Sequence, residues 1–175
     1  MRFVIAFFAA ATLTACASQP VNRAAEPPLT TVASVDVERY LGQWYELARY
    51  PTSFQKDCDA VTATYSKRED GLIEVLNRCG AIDGRSARDA KGRAKIVDAA
   101  TNAKLKVSFF GPFWGDYWIV DLEDDYSRAI IGEPSGRYLW VLARAPGVDD
   151  AERADILATL DKLGYATAPL YWTKH

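Results

Sequence analysis

Residues 60–78 read AVTATYSKREDGLIEVLNR, and this stretch decides how the 175-residue chain is to be read. Ala60–Ser66 and Leu72–Arg78 are two runs of alternating side chains, the period-2 signature of strands with two unlike faces. Arg68-Glu69-Asp70-Gly71 between them is a turn sequence, so the two runs form an antiparallel hairpin.

Outward from this hairpin the pattern repeats at short intervals. A strand precedes it near Trp44–Tyr50. Further strands follow near Arg93–Val97, Ala103–Phe110, Tyr117–Leu122, Ser127–Gly132 and Tyr138–Ala143. Eight strands with short connections predict an antiparallel barrel or sandwich, and closing the sheet on itself removes the edges that invite aggregation. The period then changes. Asp149–Leu163 carries Ile156, Leu157, Leu160 and Leu163 on one helical face, with an Asp at its start and Gly164 at its end, and Ala168–Thr173 is a last short extended piece. A single helix laid on the outside of an all-β barrel fits that order.

Composition excludes several function classes. Hydrophobic residues make up 49% of the chain, enough for a packed core. A formal net charge of -2 gives no reason to expect a nucleic-acid partner. The sole histidine, His175, is the last residue, a position usually solvated and mobile. This argues against Ser-His-Asp or Cys-His catalysis and against His-ligated metals. No cofactor, metal site or catalytic residue is predicted.

The N-terminus reads as an address. Arg2 precedes an apolar run, Phe3–Ala11, too short to span a bilayer, as in a signal peptide over residues 1–15. Leu13-Thr14-Ala15-Cys16 resembles the lipobox of bacterial lipoproteins, which implies cleavage before Cys16 and acylation of its sulfur. Ala17-Ser18 after the Cys, by the same resemblance, favours the outer membrane. Residues 16–34 hold three prolines and show no periodicity. They read as a lipidated Cys and a flexible tether, with a reach of roughly 25 Å for a free coil, leaving residues 35–175 as the folded domain.

Three further motifs carry a family resemblance. Gly42-Gln43-Trp44-Tyr45-Glu46 is similar to the G-x-W motif that opens lipocalins. Asp125-Tyr126 and Arg144 fall where that family has its second and third motifs. Lys106–Trp114 and Tyr138–Arg144 resemble bacterial outer-membrane lipocalins, relatives of apolipoprotein D. The resemblance implies an eight-stranded antiparallel up-and-down lipocalin barrel. It also implies a membrane-anchored protein, with its domain in the periplasm, that binds, stores or transports a hydrophobic ligand and is not an enzyme. Fatty acids or lysophospholipids are the expected ligands. In such a meander the first strand begins and the eighth ends at one end of the barrel, so Gly42, Trp44 and Arg144 meet at a closed floor, the guanidinium over the indole. The alternatives are an envelope structural or interaction lipoprotein with a filled barrel, and an enzyme using cavity carboxylates or a thiol.

Meander parity also brings Cys58 and Cys79 to the open end. An oxidising periplasm then predicts a disulfide, the alternative being two free thiols. The same parity turns Ala63, Tyr65, Ile73, Val75, Asn77, Leu105, Val107, Phe109, Tyr117, Ile119, Tyr138 and Trp140 inward as ligand-binding residues, with Ala63 and Ala94 leaving space. Glu46, in phase with Trp44, points inward near the floor, either as a ligand-head or acid/base group or, preferred here, as the partner of an interior Tyr or Arg. The aromatic connection Gly111-Pro112-Phe113-Trp114-Gly115 either folds into the mouth or stands exposed for a membrane or a second protomer, which leaves a homodimer open.

Overall fold

A computed structural model describes residues 19–80 and 87–175. The signal segment and Cys16 lie outside the described residues.

Eight antiparallel strands form a closed ring: β1 (Gly42–Arg49), β2 (Asp59–Lys67), β3 (Ile73–Gly80), β4 (Arg88–Ile96), β5 (Lys104–Ser108), β6 (Gly115–Leu122), β7 (Arg128–Gly132) and β8 (Leu139–Ala143). Each pairs with its neighbour in sequence, and β1 pairs with both β8 and β2. Strand β2 shows why the sequence folds so: its residues alternate between buried and partly covered, and its register sets Ala63 opposite Asn77 and Tyr65 opposite Val75. One face lines the interior and the other faces out.

A short helix, α1 (Val37–Tyr40), precedes β1. Asp36 caps it by accepting from the backbone N–H groups of Glu38 and Arg39. Helix α2 (Asp150–Lys162) follows β8, capped by the Asp149 side chain accepting from Glu152 N at 2.8 Å. It buries Ile156 and Leu160 against the outer faces of Leu47, Ile130, Leu139 and Val141, so the molecule has one core inside the barrel and a second beneath the helix. Arg128 on β7, itself buried, pairs with Asp155 of this helix at 2.6 Å and with Glu123.

The structure corrects the sequence reading in three places. Strand β4 begins at Arg88 rather than near Arg93. Its inward positions Ala90, Gly92 and Ala94 are small and its outward ones charged, so it lacks the apolar alternation that marks a strand. Residues 19–34 are not a free tether. They form a strap held by the barrel: Asn22 N donates to Gly136 O (2.9 Å), Ala24 N to Gly164 O (2.9 Å), Val32 N to Ile119 O (3.1 Å) and, just beyond, Val35 N to Thr101 O (2.7 Å). The strap runs from the open end, where Gln19 donates to Pro51 O, down to the floor. Its bonds go to distant backbone and leave no periodicity in the sequence.

The third correction concerns the C-terminus. A two-residue strand, β9 (Tyr171–Trp172), pairs with the upper half of β1, where β1 has parted from β2. Thr173 N donates to Leu47 O (3.0 Å) and Ala60 N to Lys174 O (2.6 Å), so the tail fills the seam between β1 and β2. His175, expected to be solvated, donates from Nε2 to Glu46 O (2.8 Å) and sets its ring edge to Tyr45.

Candidate functional site

The floor is built where β1 begins and β8 ends. Trp44 is wholly buried, with Arg144 Cζ 3.8 Å from its ring centroid. The guanidinium fork spreads over the carbonyls of Gln43 (2.7 Å), Arg39 (2.7 Å), Leu41 (3.0 Å) and Tyr40 (3.3 Å). Trp44 Nε1 donates to Tyr40 O at 2.8 Å. Arg144 thereby ties α1 and the start of β1 to the end of β8. Gly42, at φ +92, holds a backbone that disfavours a side chain, and a Cβ there would lie 3.5 Å from the Arg144 guanidinium.

Above this floor lies an apolar cavity. Seven of the twelve expected ligand-binding residues line it: Tyr65, Ile73, Val75, Leu105, Val107, Tyr117 and Ile119. Ala94 lines it too, as expected of a space-leaving residue. The room the cavity leaves for a water-sized sphere is only about 20 Å³, in narrow clefts between the lining side chains. Sequence reasoning missed Val35, Val37, Tyr40 and Leu41 below, and Ile96 and Asn102 at the β4–β5 turn. The spacing of Val37, Tyr40 and Leu41 behind Asp36 was the signal for a capped apolar turn.

The other expected residues fall elsewhere in the barrel. Ala63 faces inward, but Trp44 stands opposite it in the β1–β2 register and occupies the space it leaves. Phe109 packs over Gly92, where an added Cβ would meet its ring at 2.7 Å, and so roofs the cavity on the β4 side. Asn77 faces inward with its Oδ1 buried and without a hydrogen-bond partner. Tyr138 and Trp140 stack in parallel, 6.0 Å between centroids, at the mouth, where Trp140 Nε1 donates to Gln55 Oε1 at 3.0 Å.

The polar side chains lining the cavity are three phenols and Asn102, whose Nδ2 donates to Val35 O at 3.2 Å. Tyr117 Oη bonds to Tyr40 Oη at 2.8 Å and Tyr65 Oη at 2.9 Å. Two bonds among three hydroxyls leave one O–H able to meet a polar ligand atom. Desolvation raises the pKa of all three, Tyr65 to about 12. They are neutral donors at ordinary pH.

Glu46 lies mouthward of Trp44, not at the floor. Its Oε1 accepts from Arg49 Nη1 at 2.6 Å and from Thr173 at 2.6 Å, and its Oε2 from Gln55 at 2.6 Å. Residues three apart on a regular strand face opposite ways. The register shift between Glu46 and Ala48 turns both charges inward, so a buried carboxylate meets the buried arginine it needs. Cys58 and Cys79 form the expected disulfide, Cα–Cα 5.1 Å, joining the β1–β2 loop to the end of β3. In the β5–β6 connection Phe113 stands exposed, while Trp114 turns outside under Arg93 and Lys95. The reading that folds this pair into the mouth is therefore set aside.

The sequence matches the lipocalin-like domain family over residues 35–175. This chain is a lipocalin. It is 39% identical to the outer membrane lipoprotein Blc of Citrobacter freundii over 173 residues, covering 98% of this chain and 95% of that protein. It is 35% identical to temperature-induced lipocalin-1 of Arabidopsis thaliana, covering 83% and 82% of the two chains. Mouse apolipoprotein D is 36% identical over 123 residues, 69% of this lipocalin and 61% of that protein. Among solved structures, insecticyanin from the tobacco hornworm Manduca sexta superposes with a TM-score of 0.67 at 17% identity, covering 85% of each chain, and so shares the fold.

Proposed function

We propose that this lipocalin is a lipid-anchored carrier of the cell envelope that takes one acyl chain into its barrel, as a fatty acid or lysophospholipid. The observation that carries the reading is the apolar cavity above the Trp44–Arg144 floor, lined by aliphatic side chains, three neutral phenols and Asn102. Burying methylenes there gains roughly 0.8 kcal/mol each before ordering costs. The clefts are narrow, so uptake needs side chains to move. Phe109 over Gly92 and the unbranched path along Ala90, Gly92 and Ala94 mark where the chain can pass.

Cys16 and its lipobox support the anchor, and the likeness to Blc proteins named for the outer membrane supports that location. Among the described residues no helix is long and apolar enough to cross a membrane. The two thiols at the open end are joined to each other, and Glu46 is held by Arg49, Gln55 and Thr173, which supports a structural part for these groups.

Titrating delipidated protein with a fluorescent fatty acid or lysolipid tests the reading. Saturable, competable binding is expected. Ala94→Phe, which fills the cavity from β4, should weaken it about tenfold or more at unchanged secondary structure. A barrel that stays folded and binds neither lipid refutes the carrier reading and favours a filled structural barrel.

A further inference from the structure

We propose that the mouth of the barrel is a membrane-docking face, pressed onto the bilayer that holds the Cys16 acyl chains. This rests on the anchor reading above, and it assigns an orientation and a contact surface that the anchor alone does not.

Two independent observations meet here. The first is where the strap begins. Gln19 donates to Pro51 O in the β1–β2 loop, Arg137 Nε in the β7–β8 loop donates to Gln19 O at 3.1 Å, and Asn22 N reaches Gly136 O. Both loops belong to the open end. Cys16 is three residues before Gln19, so even a fully extended chain sets its Cα within about 11 Å of Gln19 at the mouth. A tether of that length cannot turn the floor toward the membrane, because the floor lies at the far end of strands eight or nine residues long.

The second observation is the distribution of exposed apolar side chains. Among the described residues the large exposed hydrophobics are Val21, Phe54, Val97, Phe110 and Phe113. Four of the five lie at the mouth. Val21 (55% exposed) is on the strap beside Gln19, Phe54 (64%) is in the β1–β2 loop, and Phe110 (80%) and Phe113 (76%) are in the β5–β6 connection. Those two connections stand half a ring apart in the strand order, so the phenylalanines flank the opening on opposite sides. No residue from Phe109 to Trp114 is charged. Separated aromatic contacts around a hole suit an interfacial surface that must seat the rim and leave the centre open. A ligand could then pass between bilayer and barrel without its acyl chain crossing water.

Site-directed spin labelling of the full, acylated chain tests this. With Cys16 acylated and Cys58 joined to Cys79, Phe113→Cys adds one free thiol. Phe110→Cys is a second rim position, and Val97→Cys, in the β4–β5 connection at the floor end, is the exposed control. Each protein is reconstituted at a single copy per vesicle of phosphatidylethanolamine and phosphatidylglycerol. Nitroxides at 113 and 110 should lose collisions with an aqueous nickel chelate and gain collisions with oxygen, while the nitroxide at 97 stays open to water. Rim labels as wet as the control on vesicle-bound protein overturn the docking proposal. Protection that emerges only when several copies share a vesicle overturns it in favour of a second copy of this chain. Protein that does not float with vesicles refutes the anchor reading itself. None of these outcomes depends on whether the cavity binds lipid.

Discussion

Replacing Arg144 by alanine should loosen the floor by about 3 kcal/mol. The guanidinium lies 3.8 Å over the Trp44 ring, a contact worth about 1 kcal/mol when partly desolvated. Its four carbonyl partners are not equal. Those of Gln43 and Arg39 are reached by water after truncation and account for about 0.5 kcal/mol each. Tyr40 O keeps the Trp44 indole N–H. Leu41 O, part-buried, loses its charged donor at a cost of about 1–2 kcal/mol. With a urea slope of about 2 kcal/mol per molar for a domain of this size, the unfolding midpoint should fall by roughly 1.5 M. Arg144→Lys should restore only part of this, because an ammonium cannot both cover the indole and reach across from Gln43 to Leu41. The assay is urea unfolding followed by circular dichroism. A shift below about 0.3 M for the alanine variant, or full recovery by lysine, would refute the claim that a planar fork closes the barrel.

Further predictions concern the open end and the phenols. Reducing Cys58–Cys79, or replacing both by serine, should leave the barrel folded, because β2–β3 and β3–β4 pairing does not depend on the bridge. It should cost roughly 3 kcal/mol of stability in the same urea assay, from the loop of about 22 residues that the bond closes. Raising pH should destabilise the fold above the ordinary tyrosine range. Tyr40, Tyr65 and Tyr117 have pKa values raised by burial, so their contribution is fully present below pH 10, the value for an unfolded tyrosine, and is lost as pH climbs through about 12, that of Tyr65. Over that window each buried phenol weakens the native state by about 1.4 kcal/mol per pH unit. The last-ionising share of the tyrosinate absorbance should therefore appear together with loss of the circular dichroism signal in one cooperative alkaline transition. Ionisation of all nine tyrosines with the fold intact would contradict the buried triad.

What the sequence made legible was whatever a strand period and fixed motif spacing can carry. Alternation in residues 60–78 and 138–143 set the faces of β2, β3 and β8. Meander parity brought Trp44 to Arg144 and Cys58 to Cys79, and it turned seven residues toward the cavity they line. The parts that stayed hidden depend on tertiary partners. The strap at residues 19–34 is ordered by backbone bonds to Gly136, Gly164 and Ile119, which no local pattern announces. Strand β4 is disguised by Ala and Gly on its inner face. The Glu46–Arg49 pair requires a bulge, which an i, i+3 spacing on a strand argues against, and a threonine from the tail completes it. The small size of Ala63 suggests space, but the β1–β2 register, which no local pattern announces, sets Trp44 opposite it.

The central claim is that a lipid occupies this barrel. The most direct measurement is mass spectrometry of an organic extract from the lipocalin purified natively from membranes, beside the same extract from Ala94→Phe. One fatty acid or lysophospholipid per barrel, depleted in the variant, is the predicted result. Extracts alike from both proteins, with no single-chain lipid in proportion to protein, would contradict it.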